Sequence, residues 1–294
     1  MNTVMNGPNI PCPMGRARDK PVERAPGPSR ASCYDGAPSR PNRKEGLFFM
    51  AHPLIPAPTQ GSQRETLDDL SLAVQYNRWI YRIIRPFLGL RILEIGCGTG
   101  NITHYLTDHG HVCAADVNDH YLEEARKNLR GARNVQYRHI NLEKNLRSLK
   151  SFLPDTIVCV NVLEHVENDR QTLQECLRLL PGGGHLLVFV PALQSIYGTM
   201  DESYGHFRRY SKGELNAKTQ EAGFKNVECR YMNLPGIPGW WLNGKVLRRK
   251  IIPKGQMLLY DKLVPLIQKA ETILPPPIGM SIFSASYKPA VPRR

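Results

Sequence analysis

Three clusters in this sequence have the residue types and spacing to do chemistry. The first is Ile92-Leu93-Glu94-Ile95-Gly96-Cys97-Gly98-Thr99-Gly100-Asn101. Glycines directly after an apolar run let the backbone turn sharply and approach a ligand that any Cβ would exclude. Roughly twenty residues further on, Asp116 closes a second apolar run beside Val117, where a carboxylate can accept from both hydroxyls of a ribose. The glycines alone could serve a dinucleotide, but their spacing is G-x-G-x-G, and Asn101 stands where G-x-G-x-x-G places its third glycine. The second cluster is Asn161-Val162-Leu163-Glu164-His165-Val166. The third, Asp201-Glu202-Ser203-Tyr204-Gly205-His206-Phe207-Arg208-Arg209-Tyr210, packs a histidine, two arginines and two tyrosines into seven residues. A histidine has the pKa of a general base at neutral pH, and His206 is the candidate; His165 can serve the same chemistry or a structural one. Arg208 and Arg209, flanked by Tyr204 and Tyr210, could clamp an anionic substrate or anchor the loop to a sheet.

These clusters need a scaffold, and the hydrophobic period supplies one. A helix is expected from Thr66, an N-cap candidate with Asp69 three positions on, through Leu70, Ala73, Tyr76, Ile80, Ile83 and Phe87, with Pro86 ending it. Strands then read at 91–95, 112–116, 135–140, 156–161 and 185–190, and helices at 101–108, 120–129 and 170–180. Alternation at this spacing implies right-handed crossovers and an α/β fold, a parallel sheet with helices on both faces. After Pro191 come a helix at 212–222 and two β-like runs, 226–232 and 281–287, expected to pair as an antiparallel ribbon at the sheet edge. Between them, 234–280 reads as a basic, aromatic, helical insertion.

The formal net charge of +13 looks like a nucleic-acid signal until it is divided along the chain. Residues 51–229 hold twenty basic and twenty acidic side chains, residues 1–50 eight against four, and residues 230–294 eleven against two. A neutral core argues against DNA and, more weakly, against RNA as a partner. Residues 1–60 are rich in Pro, Gly, Ser and Arg without apolar period and read as a disordered leader, so the folded domain is expected over 61–294, with Met50 an alternative start. No apolar run is long enough for a membrane span, and no secretory signal is visible, so a cytoplasmic location is expected. The seven cysteines show no CxxC spacing and read as free thiols.

The first cluster resembles the class I S-adenosylmethionine-dependent methyltransferases, whose first motif reads E/D-x-G-x-G-x-G, and the resemblance runs from Leu67 to the C-terminal strand. It implies a Rossmann-like sheet and S-adenosylmethionine as cofactor. By it, Gly96, Cys97, Gly98 and Gly100 lie against the methionine tail, Glu94 near the amino group, and Asp116 with Val117 at the ribose. Asn141-Leu142 would hold the adenine where the family commonly has Asp and an apolar residue. Asn161 would lie at the same crevice, in the position where some relatives with E-x-x-E-H place a metal-binding glutamate; its amide removes a charged ligand, so no metal is expected. The third cluster is similar to a D-E-x-x-G-H-x-R-R-Y stretch in bacterial methyltransferases of glycan and lipid-linked saccharide pathways. That likeness implies methyl transfer to a small-molecule or lipid-linked saccharide, at a hydroxyl oxygen. A nicotinamide-dependent oxidoreductase and a catalytically silent cofactor-binding scaffold are the alternatives. Trp240 and Trp241 beside Lys245, Arg248, Arg249 and Lys250 make 234–254 a substrate lid, or a lid that also touches a membrane surface.

Overall fold

The computed structural model describes residues 73–290. The expected leader, Met50, Cys12, Cys33 and the helix start at Thr66, Asp69 and Leu70 lie outside them. Seven strands form one sheet: β1 (Arg91–Ile95), β2 (His111–Asp116), β3 (Val135–His139), β4 (Thr156–Val160), β5 (His185–Pro191), β6 (Lys225–Met232) and β7 (Ser281–Tyr287). Their order is β3-β2-β1-β4-β5-β7-β6. The first five strands run parallel, and β7 runs antiparallel to both β5 and β6, as the edge-ribbon reading expects.

Successive strand residues face opposite layers. Leu93, Ile95 and Ile157 therefore enter one apolar core with Leu173 and Leu179. Ile92, Val112 and Val158 enter the other with Ile80, Phe189 and Phe283. Helix α1 (Val74–Ile84) covers the second layer with Trp79, Ile80, Ile83 and Ile84, and Pro86 lies in the short 3-10 turn that follows it. The remaining helices are α2 (Thr103–Leu106), α3 (Asp119–Asn128), α4 (Asp169–Leu179), α5 (Thr199–Tyr204), α6 (Lys212–Glu221), α7 (Gly236–Trp241) and α8 (Lys254–Ile273). Cys97, Cys113, Cys159, Cys176 and Cys229 are free thiols.

Two elements differ from the sequence reading. The helix expected at 101–108 shrinks to the four residues of α2, because Gly100 at φ +92° still belongs to the turn that leaves β1. The third chemical cluster is half helical: α5 takes up Asp201 to Tyr204. On α8, Leu259, Leu263, Leu266, Ile267 and Ala270 share an apolar face that turns mostly outward, and of these only Ile267 is partly buried.

The inward face of α8 carries Tyr260, Asp261, Val264 and Glu271, and its two carboxylates explain the choice. Ala73 offers α1 no side-chain cap. Asp261 supplies it from across the domain, accepting from Gln75 N and Tyr76 N at 3.1 and 2.9 Å. Glu271 accepts from Asn233 N and Leu234 N, both at 2.9 Å, in the turn before α7. Backbone donors without partners of their own thus draw the polar side of α8 inward. Replacing Asp261 by Ala should lower unfolding free energy by about 1–2 kcal/mol, the usual cost of a lost N-cap. Denaturant titration checks this, and an unchanged midpoint would mean that the cap contributes nothing.

Candidate active site

A cavity of about 770 Å³ opens at the carboxyl ends of β1, β2 and β4, the edge where open α/β sheets receive ligands. The glycine loop forms its floor. Gly96 sits at φ +71°, and a Cβ there would lie 2.3 Å from Val162 Cγ2, so only glycine fits. Gly96 N and Cys97 N both donate to Ala115 O, at 2.7 and 3.1 Å, which ties the loop to β2. Gly98 N and Asn118 N donate to the two oxygens of Asp116, each at 2.9 Å. The carboxylate keeps lone-pair capacity for a hydroxyl donor. Burial outweighs these bonds and pushes the Asp116 pKa up.

Two further carboxyls line the cavity without an ion-pair partner. Glu94 accepts from Thr103 Oγ1 at 2.5 Å. Burial pushes its pKa up to about 8, opposed by the Thr103 hydroxyl and aided by Asp116. Glu164 is fully buried with neither oxygen hydrogen-bonded, and burial pushes it to about 8 as well. Beside it, His165 and His206 meet edge to face, with ring centroids 4.7 Å apart. One ligand atom from each of Glu164, His165 and His206 lies within 4.8 Å of the others. The expectation of no metal rested on Asn161; the structure adds His206 to this group from a segment that the sequence reading did not connect with Glu164.

His206 Nδ1 lies 2.9 Å from Asp201 Oδ1. A carboxylate can only accept, so Nδ1 carries the hydrogen and Nε2 keeps its lone pair. Burial lowers the His206 pKa; the Asp201 hydrogen bond and charge oppose this without reversing it. The ring is therefore neutral at pH 7. The His165 pKa is lowered too, by desolvation within the cavity wall and by His206. Asp201 is completely buried and receives four donors: His206 Nδ1, Arg209 Nε at 2.7 Å, Gly198 N at 3.0 Å and Trp240 Nε1 at 3.1 Å. Burial resists its ionisation, but His206 and Arg209 hold its carboxyl below the usual range.

Of the residues expected at the site, Glu94, Gly96, Cys97, Gly98, Asp116, Val117, Leu142, Asn161, His165, Tyr204, His206 and Arg209 line this cavity. Gly100, Asn141, Arg208 and Tyr210 are not among its lining residues. A Cβ on Gly100 would press on Leu129 and Ala125, so its place is the packing of α3. Asn141 Oδ1 caps its own turn by accepting from Glu143 N at 3.0 Å. Arg208 pairs with Asp169 at 2.9 Å, and the fully buried Tyr210 donates to the same carboxylate at 2.8 Å. Arg209 reaches the cavity wall, but its guanidinium is committed to Asp201 and to Ala192 O at 2.9 Å, 4.5 Å above the Trp240 ring. These arginines and Tyr210 anchor the loop, the alternative the sequence left open.

Asp201 and Glu164 had no assigned role, and Trp240 was placed only in the lid or membrane-contact segment. A carboxylate five residues before a histidine was the available signal for Asp201. Nothing local links Trp240 to a residue 39 positions away. Trp240, Ile252 and Met257 bring the insertion into the cavity wall, in keeping with a lid.

A parallel sheet with a glycine loop after β1 and an acid at the end of β2 defines a Rossmann-like cofactor site. The family model described as "Methyltransferase domain" matches residues 93–188. The chain is 30% identical over 181 residues to a ubiquinone/menaquinone biosynthesis C-methyltransferase from Vibrio parahaemolyticus, covering 50% of this chain and 68% of that one. It is 34% identical over 105 residues to a ubiquinone biosynthesis O-methyltransferase from Xylella fastidiosa, covering 35% and 42%. It is 31% identical over 162 residues to an S-adenosyl-L-methionine-dependent Diels-Alderase from Talaromyces variabilis, covering 48% and 55%. The chain thus spans about half the length of these last two relatives. A crystal structure of a protein described as a methyltransferase from Bacillus halodurans C-125 shares the fold, with TM-score 0.50 and 17% identity over 72% of this chain and 99% of that one. The chain belongs to the class I S-adenosylmethionine-dependent methyltransferases. Nothing in these relatives points to an oxidoreductase.

The two raised carboxyls fit a cationic cofactor, and the Gly96 cradle fits close backbone approach. Below pH 8, Glu94 binds a proton that a ligand ammonium beside it would displace. Affinity for S-adenosylhomocysteine, read by calorimetry, should therefore rise several-fold from pH 6 to pH 8. Glu94→Gln should flatten that dependence, and an equal slope in both proteins would remove Glu94 from the cofactor site.

Proposed function

We propose that this protein transfers a methyl group from S-adenosylmethionine to a hydroxyl oxygen of a small-molecule or lipid-linked acceptor, with His206 as general base. The observation that carries this reading is the neutral His206, hydrogen-bonded through Nδ1 to buried Asp201 and lining the same cavity as the glycine loop.

The bound cofactor supplies an electrophilic methyl on a sulfonium. A hydroxyl is a poor nucleophile and needs its proton removed as the O–C bond forms and the S–C bond breaks. His206 Nε2 takes that proton, and Asp201 stabilises the imidazolium that results. The products are the methyl ether, S-adenosylhomocysteine and a proton on His206, which passes to solvent. Asp116 and the loop amides orient the cofactor; Trp240, Ile252 and Met257 help to exclude water. A saccharide acceptor is supported only by the Asp201–Tyr210 sequence likeness. An O-methyltransferase among the relatives supports oxygen as the target.

His206→Ala should cut kcat about a hundredfold while leaving S-adenosylhomocysteine affinity intact. The lowered His206 pKa means the neutral base is lost only on acidification, so the acid limb of kcat should fall below pH 6.5. A labelled-methyl assay across pH reads both; unchanged turnover would remove His206 as base.

A second reading has a specific observation behind it: Glu164, unpaired and buried, with His165 and His206 makes a donor set that suits a zinc-like cation. In that case the cation, rather than a free imidazole, would acidify the acceptor hydroxyl. Chelator-treated, dialysed protein should keep its full rate if His206 is the base. A rate lost on chelation and restored by a divalent cation would favour the second reading.

A further inference from the structure

Large apolar side chains are exposed very unevenly on this chain. Twelve of the nineteen found among the described residues fall between Trp241 and Ile278. Helix α8 shows the pattern most clearly. Leu259, Leu263, Leu266, Ala270 and Ile273 recur at steps of four and three and share one face. That face points away from the fold: Leu266 is 68% and Ile273 76% exposed. A continuous apolar stripe of this kind marks an interaction surface rather than scattered surface residues.

Charge selects the partner. Lys245, Arg248, Lys250, Lys254, Lys262 and Lys269 are all exposed in the same segment. Between Trp241 and Gly279 the acidic residues are Asp261 and Glu271 alone, and both are turned inward to cap backbone amides. The outward face is therefore apolar and cationic. A second copy of this surface would set like charges against each other. An anionic lipid surface satisfies both features, with apolar side chains at the acyl boundary and lysines at headgroup depth.

We propose that residues 241–278 form a docking surface for an anionic bilayer, with the outward stripe of α8 as its apolar element and Trp241 as an interfacial anchor. The neighbouring side chains face the other way. Trp240 donates to Asp201 at 3.1 Å, and Trp240, Ile252 and Met257 line the active-site cavity. The segment that meets the lipid is thus also a wall of the cavity, which gives a lipophilic acceptor a route from the bilayer to His206. That route rests on the proposed methyl transfer; the docking itself does not. It also needs no membrane span, and among the described residues no helix is long and apolar enough to cross a bilayer.

The test is co-sedimentation of the full chain with vesicles of phosphatidylcholine alone or mixed with phosphatidylglycerol, beside tryptophan fluorescence. Binding to the anionic vesicles should exceed that to phosphatidylcholine at least tenfold and fall steeply with salt. The emission should shift to the blue, and Trp241→Phe should remove most of that shift, since Trp79 is buried and Trp240 is held in the cavity wall by Asp201. Leu263→Glu/Leu266→Glu and Lys262→Glu/Lys269→Glu should each lower partitioning at least tenfold, with circular dichroism and S-adenosylhomocysteine affinity unchanged. Wild-type protein that stays in the supernatant would overturn the proposal. Binding equal for both double variants and wild type would do the same, and if it were lost on deleting residues 1–72 it would pass to that tract. A dimer dissolved by the leucine variants, without vesicle binding, would make the stripe a self-association face instead. Failure of methyl transfer with docking intact would touch the proposed reaction and not this surface.

Discussion

A single buried charge organises this site. Asp201 has no access to solvent, so its carboxylate persists only because four donors surround it. Those donors come from the start of α5, the loop that follows it, and the insertion. Removing one partner of such a pair typically costs about 3–5 kcal/mol, because a charge is left without compensation. The same constraint fixes the His206 tautomer, holds Arg209 in the wall and docks Trp240 over the cavity. His206, the loop after α5 and the Trp240 segment are all positioned by one carboxylate.

The other cavity carboxyls are treated in the opposite way. Asp201 is held below its usual range by donors and a guanidinium, whereas Glu94 and Glu164 have no ion-pair partner and rise to about 8, the Arg209 charge only partly offsetting burial at Glu164. Environments that push like groups apart assign them different work. A carboxyl kept neutral until a cation arrives suits a pocket for a sulfonium carrying an ammonium, and it spares the free protein two uncompensated buried charges.

Much of the scaffold was legible in the sequence because it depends on short-range pattern. Apolar runs broken by Gly and Asp placed all seven strands to within a residue or so, and the change of pattern after Pro191 located the antiparallel ribbon. The glycine loop and Asp116 were legible for the same reason: a turn against a strand demands particular residues locally. What stayed open depends on distant partners. Arg208, Arg209 and Tyr210 have the composition of a substrate clamp, and only the positions of Asp169 and Asp201 reveal them as anchors. On α8 periodicity shows an apolar stripe but not which way it turns, because Asp261 and Glu271 find backbone donors that only the fold brings near. The membrane-facing reading of 234–254 likewise needed Trp240 and Trp241 to be separated, one inward and one outward.

The most direct test of this arrangement is the protonation of His206, observed by long-range nitrogen–proton NMR on labelled protein and assigned with His206→Gln. The expected ring is neutral at pH 7 with the hydrogen on Nδ1, titrates below pH 6.5, and is perturbed when S-adenosylhomocysteine binds. A ring protonated on Nε2 at neutral pH, or one titrating above 6.5, would contradict this arrangement.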